Sequence, residues 1–156
     1  MTKQVVKHLA YAASVEEVAT MLADPTFREE VLTRQKVLRH SVSIEGGHVL
    51  IEQVQTAHGL PSFARKLVGD EITIVQEEHW TSPTTADVTV TIPGKPGDMS
   101  GVARLDETDE GTVQVIDLTV RVGIPLVGGK IEGLVADMLS KAMDKEHQVG
   151  VEWLAG

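Results

Sequence analysis

The chain contains no cysteine, which excludes disulfides, thiolate metal sites and cysteine nucleophiles at once. That absence suits a reducing compartment, and a cytoplasmic location is expected. Aromatic residues are scarce at 3%: two tryptophans, two phenylalanines and one tyrosine. Cavities that grip flat polycyclic ligands usually need several aromatic walls. Any pocket here is therefore expected to be walled by Val, Ile, Leu and Met and to favour an aliphatic or lipid-like ligand. No uncharged run approaches the length of a membrane span. The opening MTKQVVKHLAYAASVEEVATML offers no continuous apolar segment, because Glu16 and Glu17 interrupt it, so no signal peptide is expected. Basic charge is also in short supply. Against 23 Asp and Glu stand 14 Lys and Arg, a net charge of −9 that disfavours nucleic acid or an anionic membrane as the main partner.

What is present describes an ordinary globular chain. Its 156 residues, 42% hydrophobic and 24% charged, are enough for one domain over 1–156 with a real core. A first strand is expected at Val5–Ala12. Ser14-Val15-Glu16-Glu17 is a capping box, opening a short helix from Val15 to about Leu22. Asp24-Pro25 pairs an N-cap with a proline at the first helical position, so a second short helix should run to about Thr33. The period then changes to two. Leu38, His40, Val42 and Ile44 share one face of a strand, Gly46-Gly47 signals a hairpin, and His48–Thr56 returns with Val49, Ile51 and Gln53 on one parity. AHGLPSFARKLVGD reads as a loop with at most one helical turn, punctuated by Gly59, Pro61 and Gly69. Further strands are expected at Glu71–Trp80, Thr84–Ile92, Met99–Asp106 and Thr112–Gly123.

The last element is the longest. Ile131, Leu134, Val135, Met138, Leu139, Ala142 and Met143 keep an i, i+3, i+4 stripe over three turns, with Lys130, Glu132, Asp137, Lys141 and Asp144 on the other face. Strand, two short helices, about six antiparallel strands and one long helix make an α+β chain, not an alternating βαβ one.

That order resembles the START-like, or helix-grip, fold of the polyketide cyclase and birch-pollen-allergen (SRPBCC) superfamily. The resemblance rests on SVEEVATMLADPTFRE and IPLVGGKIEGLVADML. Together with LPSFARKLVG and EEHW, Glu77 to Trp80, the chain is most similar to the bacterial domain-of-unknown-function family numbered 2505. The resemblance implies a curved antiparallel sheet of six or seven strands wrapped around the C-terminal helix, with a possible hydrophobic-ligand cavity between them. It implies no catalytic residue, because the fold serves carriers, cyclases and other activities.

Local motifs for chemistry are missing. None of the six histidines, at 8, 40, 48, 58, 79 and 147, forms HxH, HxxxH or HExxH, so no metal is expected, and no cofactor. Gly128-Gly129-Lys130 before a helix invites a phosphate reading, but the P-loop pattern is absent. Pro125 ends a ladder and the two glycines turn the chain, while Glu132 would complement the helix dipole. The more informative residues are polar ones on inward faces: His40, Gln53, Gln76 and Glu78, with Trp80 as the best cavity wall. Met138, Met143 and His147 would face them from the helix. The apolar stripe turns polar at Glu146 and His147, which more simply reads as the helix leaving the core; Trp153 is expected to pin the C-terminus. Three functions stay open. The leading one is non-enzymatic binding of a small hydrophobic molecule. The second is a cyclase-type enzyme using His40, Glu78 or His147 as acid and base, and the third is an interaction module with a solid core. The oligomeric state is not legible.

Overall fold

The computed structural model describes residues 2–156. Strand β1 (Thr2–Tyr11) leads into helices α1 (Val15–Leu22) and α2 (Pro25–Arg34). Strands β2 (Arg39–Glu45) and β3 (His48–Thr56) follow, then α3 (Ser62–Val68). The chain continues through β4 (Glu71–Ser82), β5 (Thr85–Thr91), β6 (Asp98–Thr108) and β7 (Gly111–Arg121) to α4 (Gly128–Ala155). All seven strands form one antiparallel sheet in the order β1-β7-β6-β5-β4-β3-β2. Pairing of the first strand with the last lets the sheet curl round α4, which packs chiefly on β1.

The helix starts follow their local chemistry. Ser14 Oγ accepts from Glu17 N at 3.1 Å, and Ser14 N donates to Glu17 Oε1 at 3.1 Å. Asp24 Oδ1 accepts from Thr26 N at 2.8 Å. These bonds satisfy amide groups that a helix start leaves free. The main core collects Val18, Met21, Leu22 and Phe27 from α1 and α2 against Val5, Leu9 and the inward residues of β5 to β7. A smaller cluster joins Leu32 to Val49 and Ile51.

Three elements differ from the sequence expectation. The segment read as a loop holds a seven-residue helix, α3. Its flanking Gly59 and Gly69 bound the helix instead of preventing it, and Gly69 closes it at φ 82°. Helix α4 does not leave the core after Met143. Its apolar face continues through Val149 and Gly150, with Gly150 against the Tyr11 ring and the Met21 methyl. Trp153 stands edge-on to Phe27 of α2, ring centroids 5.5 Å apart, which fastens the last turn. Glu132, finally, does not face solvent. It is 2% exposed, and its Oε2 accepts from Val122 N at 2.8 Å. Val122 has just left the β7 ladder, so its amide has lost a strand partner, and the carboxylate takes that place.

The corner between β7 and α4 is correspondingly tight. Gly128 N donates to Ile124 O at 2.9 Å, and a Cβ on Gly128 would stand 2.5 Å from Val122 O. Gly128 is thus a packing joint, whereas a Cβ on Gly129 would meet nothing within 4 Å, and the left-handed backbone angle expected of the glycines falls instead on Leu126, at φ 72°. Glu132→Ala should cost about 1–3 kcal/mol in urea unfolding, because it strands the buried Val122 amide. Glu132→Gln keeps an acceptor there and should recover most of that loss.

Candidate functional site

The interior between sheet and α4 is not filled. A cavity of about 550 Å³ is lined by Ile72, Ile74, Val90, Leu134, Met138 and Leu139, among others. Among the described residues none of its lining side chains is aromatic. A smaller chamber of about 90 Å³ adjoins it, the two sharing Gln53, Gln76, Val90, Leu139 and Ala142. Alternation along β4 explains the difference in character. Ile72 and Ile74 face the large cavity, while Gln76, Glu78 and Trp80 continue the same parity into the chamber.

The chamber wall is built on a buried ion pair. Arg28 of α2 is 2% exposed, and it grips Glu78 of β4 through Nη1–Oε2 at 3.0 Å and Nη2–Oε1 at 2.7 Å. Its Nε donates to Leu22 O, at the end of α1, at 2.8 Å. Glu78 accepts twice more, from Gln76 Nε2 at 2.6 Å and Trp80 Nε1 at 2.9 Å. Glu146 of α4 approaches the guanidinium from the other side, 3.7 Å from Nη1, with its side chain 18% exposed. Burial works against the charge on Glu78, but the Arg28 charge and the hydrogen bonds from Arg28, Trp80 and Gln76 overcome it and hold the carboxyl below its usual range. For Glu146 burial wins. It raises the pKa, the Glu78 charge adds to the rise, and Arg28 only partly opposes it. Burial also disfavours the Arg28 cation, yet Glu78 and Glu146 keep it firmly charged.

Two further polar groups are left over. Gln114 of β7 is 4% exposed, lines the chamber, and its Oε1 finds no hydrogen-bond partner. The Tyr11 hydroxyl is likewise buried and unpartnered. Burial, with Glu146 nearby, pushes the phenol's pKa up.

Of the residues singled out from sequence, Gln53 and Gln76 line both spaces, Met138 the large cavity, and Glu78, Trp80 and Met143 the chamber. Two do not join them. His40 pairs with Gln53 in register, but it lies on the edge strand β2, is exposed and lines neither space. Strand parity gave its side of the sheet, not its depth. His147 points away from the chamber to β1, with Nε2 2.7 Å from Ala10 O and its ring tilted on Tyr11. The acid–base set His40, Glu78 and His147 therefore does not converge, and Glu78 has no free lone pair aimed at a substrate. The indole donor of Trp80 is also spent on Glu78. Sequence reasoning missed Arg28 and Gln114. Arg28 sits 50 residues from Glu78, and nothing local distinguishes it from the other charges of TFREEV.

On the outer face of the sheet, His48, Glu77 and His79 bring three donor atoms within 4.8 Å of one another. Register creates the group, since His48 pairs with His79. Two imidazoles and a carboxylate are a donor set suited to a borderline divalent cation. The His48–Glu77 hydrogen bond, 3.0 Å, and the stacked rings, 4.4 Å apart, already account for the cluster.

The comparisons agree with this geometry. A family model described as "Protein of unknown function (DUF2505)" matches residues 7–154. The uncharacterized protein Rv0481c of Mycobacterium tuberculosis is 26% identical over 160 residues, covering 92% of each chain. Among solved structures, TTHA0849 from Thermus thermophilus superposes with TM-score 0.68 at 20% identity, covering 96% of this chain and 95% of that one. The di-domain aromatase/cyclase StfQ of the steffimycin biosynthetic pathway gives 0.71 at 13%, with 97% of this chain on 50% of that one. Ara h 8.0201 gives 0.65 at 8%, covering 97% and 99%. At these identities the structures establish the fold, START-like, and nothing finer.

The two glutamates predict opposite pH behaviour. Glu78 has a lowered folded pKa, so its contribution is full above the unfolded carboxylate value of about 4.3 and fades as pH falls through the folded one. Glu146 has a raised folded pKa, so its ionisation costs stability as pH rises from about 4.3 through the folded value. Glu78→Ala should lose about 3–5 kcal/mol at neutral pH by stranding Arg28. Glu146→Gln should raise the Tm at neutral pH, with the gain vanishing in acid; thermal scans across pH check both.

Proposed function

This chain belongs to the DUF2505 family, and we propose that it binds a small aliphatic, lipid-like molecule in the space between the curved sheet and α4, without transforming it. The observation that carries this reading is the large cavity itself, of about 550 Å³ and with no aromatic lining side chain among the described residues. Its size lies in the range of small-molecule sites, which combine apolar walls with a few fixed polar groups. Here those groups are Gln53, Gln76 and, in the adjoining chamber, Gln114. The unpartnered Gln114 Oε1 is an acceptor held ready for a donor on a ligand. A solid-core interaction module fits less well. Of the exposed large apolar residues, Val6, Phe63, Val102 and Val151 lie on four different elements and Leu38 and Leu126 in connecting segments. Val6 and Val102 share a row of the sheet, but the charged Asp117 stands between them.

A second reading, acid–base chemistry of the cyclase kind, draws on one observation. Glu146 is a carboxyl with a raised pKa on the chamber wall, beside a permanent guanidinium charge. Groups of that kind serve as general acids. Loss of turnover in Glu146→Gln, on a substrate the wild type converts, would move the assignment to this reading.

Native mass spectrometry of freshly purified protein should show a co-purifying small hydrophobic species. Filling the cavity tests the location: Met138→Trp should weaken binding of a fluorescent fatty-acid probe by about tenfold or more, about 1.4 kcal/mol per decade. The same substitution should leave the Tm unchanged or raised, since it occupies empty space. Full binding in Met138→Trp would place the ligand elsewhere.

A further inference from the structure

The net charge of the chain conceals a local reversal. Arg34, Lys36, Lys95, Arg121, Lys141 and Lys145 border the large cavity, six of the 14 basic residues. Of the 23 acidic residues only Asp98 does so. Of the eight basic residues elsewhere, half are ion-paired: Lys7 with Asp144, Arg28 with Glu78, Arg39 with Glu71 and Arg104 with Asp106. Around the cavity Arg34 alone is paired, with Glu30 and Glu152. Lys36, Lys95, Arg121, Lys141 and Lys145 enter no ion pair among the described residues. A protein with such an acid excess could neutralise these positions readily, yet they stay bare.

The densest part of this rim lies where α2 ends over the middle of α4. Lys141 and Lys145 sit at the i, i+4 spacing, at which like charges destabilise a helix. Lys36 joins them from the residue pair that follows α2, at φ 59°. Lysines in such a place lay their methylene stems along an apolar wall and hold the ammonium outward. From Ile131 to Lys145 the cavity follows α4 for about 20 Å, room for an extended chain with one end at these lysines.

We infer that the cavity's ligand is an amphiphilic anion, an aliphatic chain ending in a carboxylate or phosphate head that Lys36, Lys141 and Lys145 hold at the rim. The inference rests on the hydrophobic-ligand reading and adds the charge and position of the head. A hydrocarbon tail accounts for the apolar lining. A negative head accounts for the unpaired lysines, which an uncharged ligand does not.

The test compares dodecanoate with dodecanol, which shares its tail and lacks its charge, by calorimetric titration of the wild type and the triple variant Lys36→Gln, Lys141→Gln, Lys145→Gln. These side chains reach solvent, so the variant should fold, and circular dichroism checks it. Dodecanoate should bind the wild type more tightly, lose at least tenfold in the triple variant, and weaken with added salt. Dodecanol should bind both proteins alike. Equal affinity of the two ligands for the wild type, or undiminished dodecanoate binding by the variant, overturns the head-group inference and leaves the cavity reading standing. Failure of both ligands to bind overturns both. Sedimentation with phosphatidylglycerol vesicles separates a free head from a membrane surface. If the variant loses vesicle association while binding dodecanoate normally, the lysines serve a bilayer and the inference falls.

Discussion

A guanidinium placed out of water, with a carboxylate locked across it, is the constraint around which this molecule is arranged. Desolvating two charges is costly, and the cost is recovered only when geometry is good and every remaining donor and acceptor is used. Arg28 and Glu78 approach that condition: a two-pronged pair, a backbone carbonyl for Nε, and two side-chain donors for the carboxylate. The bonds tie the end of α1, helix α2 and strand β4 together, and Glu146 draws in α4. Elements far apart in sequence thus share one polar joint, set inside an otherwise apolar interior.

The joint also divides the interior. Where the polar residues of β4 stand, the space narrows to the small chamber; where Ile72 and Ile74 stand, it widens into an apolar cavity under α4. The helix can roof this space because both its ends are fastened. Gly128 and Glu132 fix its start to the end of β7, and Gly150 and Trp153 fix its last turns to β1 and α2. Between these anchors the wall side chains need not meet the sheet. A hollow can persist there without loss of the fold, since contacts at the helix ends, the packing of Ala136 and Met143, the bonds of Lys7 on β1 to Ser140 and Asp144, and the core of α1 and α2 hold the helix.

Most of the fold was legible because its signals are local. The capping box at Ser14, the Asp24-Pro25 start, the Gly46-Gly47 turn and the period-two runs each specify structure within a few residues. Parity along β4 likewise put Gln76, Glu78 and Trp80 on one face. Depth was the harder quantity. His40 has the right parity but belongs to an edge strand. Glu146, in turn, looked like a helix leaving the core, though its partner is an arginine more than a hundred residues earlier. A charged residue on an inward face reads as an exit until its counter-charge is known, and that is long-range information. The same limit hid the grouping of His48 with Glu77 and His79. Its members lie on two strands, and only their register brings them together.

Register has a consequence for how the chain reaches this state. On β4, Glu77 and His79 face out while Gln76, Glu78 and Trp80 face in. A slip of one residue would exchange the two sets. Arg28 would then be shut in opposite Glu77 and His79, without the amide and indole donors that complete the carboxylate's bonding. Apolar strands such as β5, with Val88 and Val90 inward, can tolerate a misaligned trial packing for a time. A buried cation cannot. The ion pair therefore ties strand alignment to helix docking: Arg28 of α2 meets a fully bonded carboxylate only where β4 turns Gln76, Glu78 and Trp80 inward.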